Sequence, residues 1–201
     1  MITILDFGMG NLRSVQKAFE RLGVSVEITT SPEGVVAAQK LVLPGVGHFA
    51  KGMQVLIEKG LDQAIRHVVI KNRVPILGIC LGMQLLTNFS QEGNAVGLGL
   101  VDAEVMKFHN IAGLKIPHMG WNTIQSEKSS RIFDGLFESN YFYFVHSYYV
   151  KCNDPRDRLF VTSYGNCFDS GFQKDHIVGV QFHPEKSHKP GLRLLKNFAG
   201  L

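Results

Sequence analysis

The sequence contains few cysteines, and their number and spacing disfavour two kinds of site. Three of the 201 residues are cysteine, which is an odd number, and no two of them have the close spacing of a metal site. A disulfide framework and a bound metal are therefore not expected, and a reducing cytoplasm is the predicted location. The cysteines are Cys80, Cys152 and Cys167.

Long hydrophobic runs are also missing, and a secretory leader is not expected. The longest apolar stretch, from Val74 to Phe89, is interrupted by glycines and by Gln84, and it falls short of the roughly 20 apolar residues that span a membrane. Residues 1–6 lack the basic region that begins a signal peptide. The sequence therefore predicts a soluble intracellular protein without a membrane partner.

No block of basic residues is present, although the formal net charge is +4. The lysines and arginines are scattered, which argues against a nucleic-acid-binding arm and a nucleic-acid partner. With 45% hydrophobic and 19% charged residues, the composition is that of an ordinary globular protein. A length of 201 residues suits a single domain, 1–201, with a substantial core.

Predicted strands and helices alternate through the first half of the sequence, which is typical of a parallel, doubly wound sheet. From residue 101 onward short extended pieces dominate, and Gly165-Asn166 between two of them indicates a hairpin. We therefore predict a three-layer α/β fold whose mostly parallel sheet gains antiparallel strands in the second half. The predicted elements include a helix from Leu56 to Ile70 and strands from Tyr141 to Val150 and from Ile177 to Phe182.

Gly8-Met9-Gly10 follows the first predicted strand, as a phosphate-binding turn would. The third glycine of the dinucleotide fingerprint is missing, because Arg13 stands in its place. A plain turn that only glycine can make is the favoured interpretation. No cofactor is predicted.

Cys80 is the candidate nucleophile. An apolar run from Val74 to Ile79 predicts a buried strand, and the residues after Cys80 predict a helix. With Gly78 and Gly82 on either side, this pattern has the form of a nucleophile elbow, in which a tight turn projects the side chain above the sheet. The helix N-terminus beside the sulfur favours the thiolate. The alternative interpretation is a buried cysteine that acts as a small hydrophobic residue.

His183 is the candidate base and Glu185 the candidate residue that orients it. His183 follows a predicted strand, and Pro184 disfavours a helical conformation at position 183. In extended chain, residues two apart point to the same side, so both side chains can project from the strand end. A surface histidine beside a surface acid is the alternative interpretation. The order of nucleophile, histidine and acid along the chain is acceptable, because triads are defined by role.

Pro44-Gly45-Val46-Gly47 is the candidate oxyanion turn. Two glycines separated by one residue allow backbone N–H groups to point toward a developing negative charge. Taken alone, the pattern more often marks an ordinary strand-to-helix turn.

Together these motifs resemble those of class I, triad-type glutamine amidotransferases. The segments that match the two catalytic motifs of that family are Gly78 to Gln84 and Phe182 to Glu185. Further segments are similar to the glutaminase subunits of imidazole glycerol phosphate synthase, an enzyme of histidine biosynthesis. They are Pro44 to Gly47, Pro117 to Asn122, Phe144 to Tyr148 and Glu185 to Ser187.

The resemblance implies a glutaminase that acts through a cysteine thioester and needs no cofactor or metal. Cys80 would attack glutamine, His183 would act as acid and then as base, and Glu185 would orient the imidazole. The residues implied in binding the oxyanion are Gly45, Val46, Gly47 and Leu81. Those implied in holding the amino-acid end of the substrate are Gln84, Val145, Ser147 and Tyr148. A peptide flip at Val46 or Gly47 would keep a free subunit idle.

Subunits of this kind form a heterodimer with a synthase/cyclase subunit, typically a (β/α)8 barrel, that consumes the ammonia. The resemblance implies a partner-facing surface, and for Trp121 core packing is an equally good interpretation from the sequence. The implied surface residues are Asn11, His118, Met119, Trp121, Tyr143 and Lys186.

Three alternatives remain at this point. The segments Gly97 to Val105, Tyr148-Tyr149 and Lys186 to His188 also resemble paralogues that supply ammonia to a sugar-modifying synthase for surface polysaccharide. A γ-glutamyl hydrolase or cysteine peptidase would share the elbow and the histidine and would act without a partner. A catalytically silent scaffold would keep the fold alone.

Overall fold

The structure is a computed structural model that describes residues 1–108, 114–137 and 139–201. The helices are α1 (Leu12–Glu20), α2 (Pro32–Val36), α3 (Phe49–Glu58), α4 (Leu61–Ile70), α5 (Leu81–Leu85) and α6 (His188–Ala199). The strands are β1 (Ile2–Leu5), β2 (Val26–Thr29), β3 (Leu41–Gly45), β4 (Ile76–Cys80), β5 (Phe89–Ser90), β6 (Ala95–Val96), β7 (Ala103–Lys107), β8 (His118–Thr123), β9 (Gln125–Ser126), β10 (Tyr141–His146), β11 (Tyr148–Cys152), β12 (Arg158–Tyr164), β13 (Asn166–Lys174) and β14 (Ile177–Val180). Short 3-10 helices cover Arg131–Phe133, Pro155–Asp157 and Pro184–Lys186. Within these ranges, no helix has the length and apolar character needed to cross a membrane.

A large mixed sheet organises the chain. Its parallel part has the order β2-β1-β3-β4-β14. The second half of the chain extends it through β13, which pairs antiparallel with β14, and then through β11 and β7. The predicted hairpin at Gly165 joins β12 to β13. The α/β fold with parallel strands followed by antiparallel additions is thereby confirmed.

Two hydrophobic cores lie on opposite faces of the sheet. Successive residues of a strand point to opposite sides, so Leu41 and Ile76 join one core while Val42 and Leu77 join the other. The first core is covered by α2, α3, α4 and α5, and the second by α1 and α6. The result is the three-layer arrangement of helix, sheet and helix.

Two predicted elements are each divided in the structure. The helix predicted from Leu56 to Ile70 is wrong as a single element, because Gly60, with φ of 66°, separates α3 from α4. The strand predicted from Tyr141 to Val150 is also two strands, β10 and β11. β10 pairs with β8 in a separate two-stranded sheet, whereas β11 belongs to the large sheet. One continuous aromatic and β-branched run serves both strands, so the sequence pattern does not mark the change of sheet.

The carboxyl ends of three neighbouring strands bring the candidate residues to one edge of the sheet. β3 ends at Gly45 and β4 ends at Cys80, and these two residues are paired in register. On the other side of β4, Val180 of β14 pairs with Ile79, three residues before His183. Ligands of open α/β sheets gather at this type of edge.

Candidate active site

Cys80 lies at the sharp turn between β4 and α5. Its backbone has φ of 54° and ψ of −111°, a conformation that residues other than glycine rarely adopt. The side chain is 7% exposed, and Sγ lies 4.0 Å from the carbonyl oxygen of Val145. Leu81 begins α5, and the first N–H groups of a helix have no partner within it. The turn therefore places a sulfur and a backbone donor side by side.

The glycines on either side of Cys80 are required for close packing. A Cβ atom on Gly82 would lie 1.7 Å from the carbonyl oxygen of Leu43, and one on Gly78 would lie 2.7 Å from backbone atoms of Met83. Neither glycine has a positive φ. The residue with a positive φ at this turn is Cys80 itself. The glycines allow the elbow to pack against β3 and against its own helix.

His183 and Glu185 form a buried pair beside this turn. Nδ1 of His183 lies 2.8 Å from Oε1 of Glu185, and the two side chains are 3% and 2% exposed. The backbone N–H of His183 donates to the carbonyl oxygen of Tyr143 at 2.9 Å, which fixes the histidine against β10. The extended-chain explanation for this pair is wrong, because Glu185 lies in a 3-10 helix that starts at Pro184. One turn of that helix returns the carboxylate to the imidazole.

The surroundings of His183 favour its charged form. Burial lowers the pKa of His183, but hydrogen bonding and negative charge at the neighbouring Cys80 sulfur and at the Glu185 carboxylate outweigh this effect and raise the pKa to about 10. Among the described residues, Nε2 of His183 is buried and has no partner in hydrogen-bond geometry. The raised pKa favours an imidazolium whose Nε2 proton is available for transfer.

Gln181 joins the nucleophile to Gln84, and the sequence predicted no role for it. Its Nε2 donates to Sγ of Cys80 at 3.7 Å, and its Oε1 accepts from Nε2 of Gln84 at 2.9 Å. Nε2 of Gln84 also donates to the carbonyl oxygen of Tyr148 at 3.2 Å. Since a carbonyl oxygen can only accept, this contact fixes the orientation of both amides. The sequence signal that could have identified Gln181 is a polar residue directly after a buried apolar strand.

The candidate oxyanion turn does not offer all of its predicted donors in this conformation. The N–H of Val46 donates to the carbonyl oxygen of Met9 at 3.2 Å. Gly47 has φ of 110°, and a Cβ atom there would lie 2.9 Å from Cε of Met9. The donor expected from Val46 is therefore engaged elsewhere. Glycine at position 47 allows the backbone to pass close to Met9.

A cavity of about 200 Å³ opens above Cys80. Sites for drug-sized ligands have volumes of about 300–1,000 Å³, so this smaller cavity suits a small metabolite. Its walls are formed by Val46, Gly47, Cys80, Leu81, Gln84, Glu92, Val145, His146, Ser147 and Tyr148. All except Glu92 and His146 have a role predicted from the sequence. Gly45, His183 and Glu185 line a smaller space next to it, together with the exposed Asn11.

Glu92 brings a carboxylate to the cavity wall. Its Oε2 accepts from the backbone N–H of Phe49 at 2.7 Å, at the first residue of α3. The positive end of that helix favours a negative charge at this position. No motif surrounds Glu92 in the sequence, and only the folded chain brings it near Cys80.

The predicted partner-facing residues divide into a surface group and one buried residue. Met119 and Trp121 are 61% and 46% exposed, so core packing does not explain Trp121. The Trp121 ring lies 5.8 Å from that of Tyr143, and Nζ of Lys186 lies 5.7 Å from the centre of the Tyr143 ring. His118 is only 3% exposed and does not belong to this surface.

The described residues contain no group of three or more histidine, cysteine, aspartate and glutamate side chains arranged to hold a metal ion. The polar groups of the cavity are instead suited to acyl transfer. They comprise the Cys80 sulfur and the backbone at the two turns, and the imidazole of His183 with its carboxylate partner lies in the space next to them.

Comparison with known proteins identifies the family. A family model described as "Glutamine amidotransferase class-I" matches residues 3–200. "Imidazole glycerol phosphate synthase subunit HisH 2" of Methanococcus maripaludis is 49% identical over 98% of this chain and 98% of that protein. "Imidazole glycerol phosphate synthase subunit HisH" of Moorella thermoacetica is 49% identical over 100% of this chain and 94% of that protein.

A solved structure of a glutamine amidotransferase shares the fold. It matches with a TM-score of 0.77 and 20% identity, and the match covers 100% of this chain and 99% of that one. Since the family model also spans nearly the whole sequence, the chain belongs to the class-I glutamine amidotransferase family.

Proposed function

We propose that this chain is the glutaminase subunit of an imidazole glycerol phosphate synthase. It hydrolyses L-glutamine to glutamate and ammonia, and the ammonia passes to a synthase subunit that makes imidazole glycerol phosphate and aminoimidazole carboxamide ribotide. The observation that carries the proposal is the buried pair of His183 and Glu185 beside Cys80, whose side chain lines a cavity of about 200 Å³. The 49% identity to subunits with that name, over nearly the whole chain, supports the pathway.

The first half-reaction forms a thioester. The Cys80 thiolate attacks the side-chain amide carbon of glutamine, and the C–N bond breaks as Nε2 of His183 gives its proton to the leaving ammonia. Glu185 holds Nδ1–H and stabilises the imidazolium before this transfer. The raised pKa of His183 supplies the acid at neutral pH.

The second half-reaction releases glutamate. His183, now neutral, takes a proton from water, and the hydroxide attacks the thioester carbon. The C–S bond breaks and the thiolate of Cys80 is restored. The backbone N–H of Leu81 and of the Gly45–Gly47 turn bind the oxyanion in both steps, an interaction worth about 3–4 kcal/mol where single donors have been removed from other enzymes. Because Val46 N–H is bonded to Met9, the turn must reorient before it contributes fully.

Glu92 extends the predicted substrate site. Its carboxylate on the cavity wall is the group that suits the α-ammonium of glutamine. Gln84 and the backbone of Val145, Ser147 and Tyr148 contact the rest of the amino-acid end. This arrangement should favour a free amino acid over a peptide.

The proposed partner is a synthase subunit with a (β/α)8 barrel, and the proposed location is the cytoplasm. The exposed Met119 and Trp121, with Tyr143 and Lys186, form the docking surface beside the site. Large aromatic side chains of this kind are enriched among residues that dominate binding energy. Residues 1–201 form one glutamine amidotransferase domain in this proposal.

Covalent labelling tests the enzyme assignment. A chloroketone analogue of glutamine should alkylate Cys80, and excess glutamine should protect it. Cys80→Ala should abolish labelling, whereas Cys167→Ala removes an exposed cysteine and should leave it unchanged. Labelling that persists in Cys80→Ala, or that glutamine does not reduce, would remove the basis for the proposal.

A second acceptor is considered because three segments of the sequence resemble paralogues with a different partner. They are Gly97 to Val105, Tyr148-Tyr149 and Lys186 to His188. A paralogue that supplies ammonia to a sugar-modifying synthase would use the same glutaminase chemistry. Expression in a histidine-requiring strain that lacks its glutaminase subunit separates the two, since growth without histidine supports the first acceptor and no growth supports the second.

A further inference from the structure

His118 and His146 form a directed hydrogen-bond chain beneath the substrate cavity. Nδ1 of His146 lies 2.8 Å from the carbonyl oxygen of Tyr148, and its Nε2 lies 2.9 Å from Nδ1 of His118. Because a carbonyl can only accept, Nδ1 of His146 must carry a proton. In a neutral imidazole Nε2 then accepts, so Nδ1 of His118 must donate to it.

The surroundings keep both imidazoles neutral. The side chains are 3% and 6% exposed. Burial lowers the pKa of His118 to about 4 and that of His146 to about 3. The ring of His118 also stacks between Phe144 at 4.8 Å and Tyr164 at 4.0 Å. A proton on Nε2 of His146 would face the N–H of His118, so the chain exists in one direction only.

This hydrogen-bond chain joins two different parts of the molecule. At one end, Nδ2 of Asn122 lies 3.3 Å from Nε2 of His118, and both residues belong to β8. At the other end, the carbonyl of Tyr148 also accepts from Nε2 of Gln84. His146 and Tyr148 both line the cavity. The outer residues of β8, Met119 and Trp121, are exposed.

We propose that His118 is a positioning residue for glutamine, which acts through His146 to fix the Tyr148 carbonyl and the Gln84 amide in the cavity. The inference rests on the proposed glutaminase function, because it assigns these groups to the amino-acid end of the substrate. It also connects substrate binding to β8, the strand that presents Met119 and Trp121 to a partner. His118 therefore contributes to the site from a buried position.

Labelling kinetics of the intact chain test the proposal. His118→Phe keeps the stacked ring and removes the hydrogen bonds, so the half-saturating concentration of the chloroketone analogue should rise about three- to tenfold. The limiting labelling rate at saturation should change less than twofold, because Cys80 and His183 are untouched. The matched control is His176→Phe, which removes a bond to the carbonyl of Val69 far from the cavity and should leave both constants unchanged.

The result that overturns the proposal is an unchanged half-saturating concentration in folded His118→Phe. If the wild-type chain is not labelled at all, the proposed function fails instead, so the two failures are distinguishable. His146→Asn retains a donor near Nδ1 and should show a smaller rise than His146→Leu. Nitrogen-15 spectra of the wild-type histidines give an independent measurement: a proton on Nδ1 of both neutral rings is expected, and a proton on Nε2 of His146 contradicts the proposal.

Discussion

At the scale of single residues, His183 is the side chain to which the proposed mechanism assigns both proton transfers. Its pKa is raised from 6.5 to about 10, so its charged form is favoured by folding. By linkage, the stabilisation is fully present below pH 6.5 and is lost as the pH rises through about 10. Across the physiological range the residue can therefore act as an acid while it also stabilises the folded chain.

Glu185→Gln tests whether the Glu185 carboxylate raises the pKa of His183. The amide keeps the shape and an acceptor for Nδ1–H but removes the negative charge, so the pKa of His183 should fall. In the complex with the synthase subunit, the alkaline decline in glutaminase kcat/KM should move to lower pH. Glu104→Gln, at an exposed position, is the control and should keep the wild-type profile. An unchanged alkaline limb in Glu185→Gln would contradict the assigned cause.

Single residues also show what the sequence could predict about the site. Cys80, His183 and Gln84 lie in motifs with characteristic neighbours, so their positions were predictable. Glu92 and Gln181 have no such motif, because their relation to the site arises from contacts between distant segments. His146 lies in the segment Phe144 to Tyr148, but its bond to His118 appears only in the folded chain. The donor expected from Val46 depends on one peptide orientation, which residue types alone do not determine.

At the scale of elements, the elbow depends on the contact between α5 and β3. Gly82 lies so close to the carbonyl of Leu43 that a methyl group has no space. The glycine pattern predicted the turn correctly, but the physical requirement is this close approach. The division of one aromatic run into β10 and β11 was not predictable, because strands of both sheets use the same residue types.

Gly82→Ala should disrupt the elbow. The added methyl group forces α5 away from β3, so the free energy of unfolding should fall by about 1–3 kcal/mol and labelling of Cys80 should slow at least tenfold. Gly200→Ala is the matched control, since a Cβ atom there meets its nearest neighbours at an ordinary 3.5 Å. Urea denaturation checks the stability change. Equal stability and equal labelling of Gly82→Ala and wild type would argue against this packing.

The buried histidine pair between β8 and β10 should make the chain sensitive to acid. His118 and His146 have folded pKa values of about 4 and about 3, below the ordinary 6.5, so the unfolded chain binds more protons as the pH falls from 6.5. As the pH falls through that window, each histidine should lower the free energy of unfolding by up to about 1.4 kcal/mol per pH unit. Urea denaturation at pH 7.5 and pH 5 should show a smaller loss for His118→Phe than for wild type. The exposed His67→Gln should behave as wild type, and an equal loss in all three would contradict this origin.

At the scale of the whole molecule, the candidate active site and the proposed docking surface are adjacent. β10 contacts His183 through Tyr143 and Cys80 through Val145, and it pairs with β8, which carries Met119 and Trp121. A partner that binds β8 would therefore contact the strand next to the one that holds both candidate catalytic groups. Because Val46 N–H donates to Met9, the candidate oxyanion turn lacks one of its predicted donors in the isolated chain.

The isolated chain should hydrolyse glutamine slowly, and the synthase subunit with its bound substrate should accelerate it. Recovery of one oxyanion donor corresponds to an increase of about 10²–10³ in kcat. Steady-state glutamate release with and without the partner measures the effect. Full activity of the isolated chain would contradict the proposal that the oxyanion turn is inactive without the partner. A complex that is labelled but remains inactive would contradict the assigned partner.

The central claim is that glutamine is hydrolysed through a thioester on Cys80. Acid quenching of the complex during turnover of carbon-labelled glutamine, followed by peptide mass spectrometry, tests it most directly. A glutamyl group is expected on the peptide that contains Cys80, and none in Cys80→Ala. Steady release of labelled glutamate without an adduct on that peptide, or at an undiminished rate in Cys80→Ala, would contradict it.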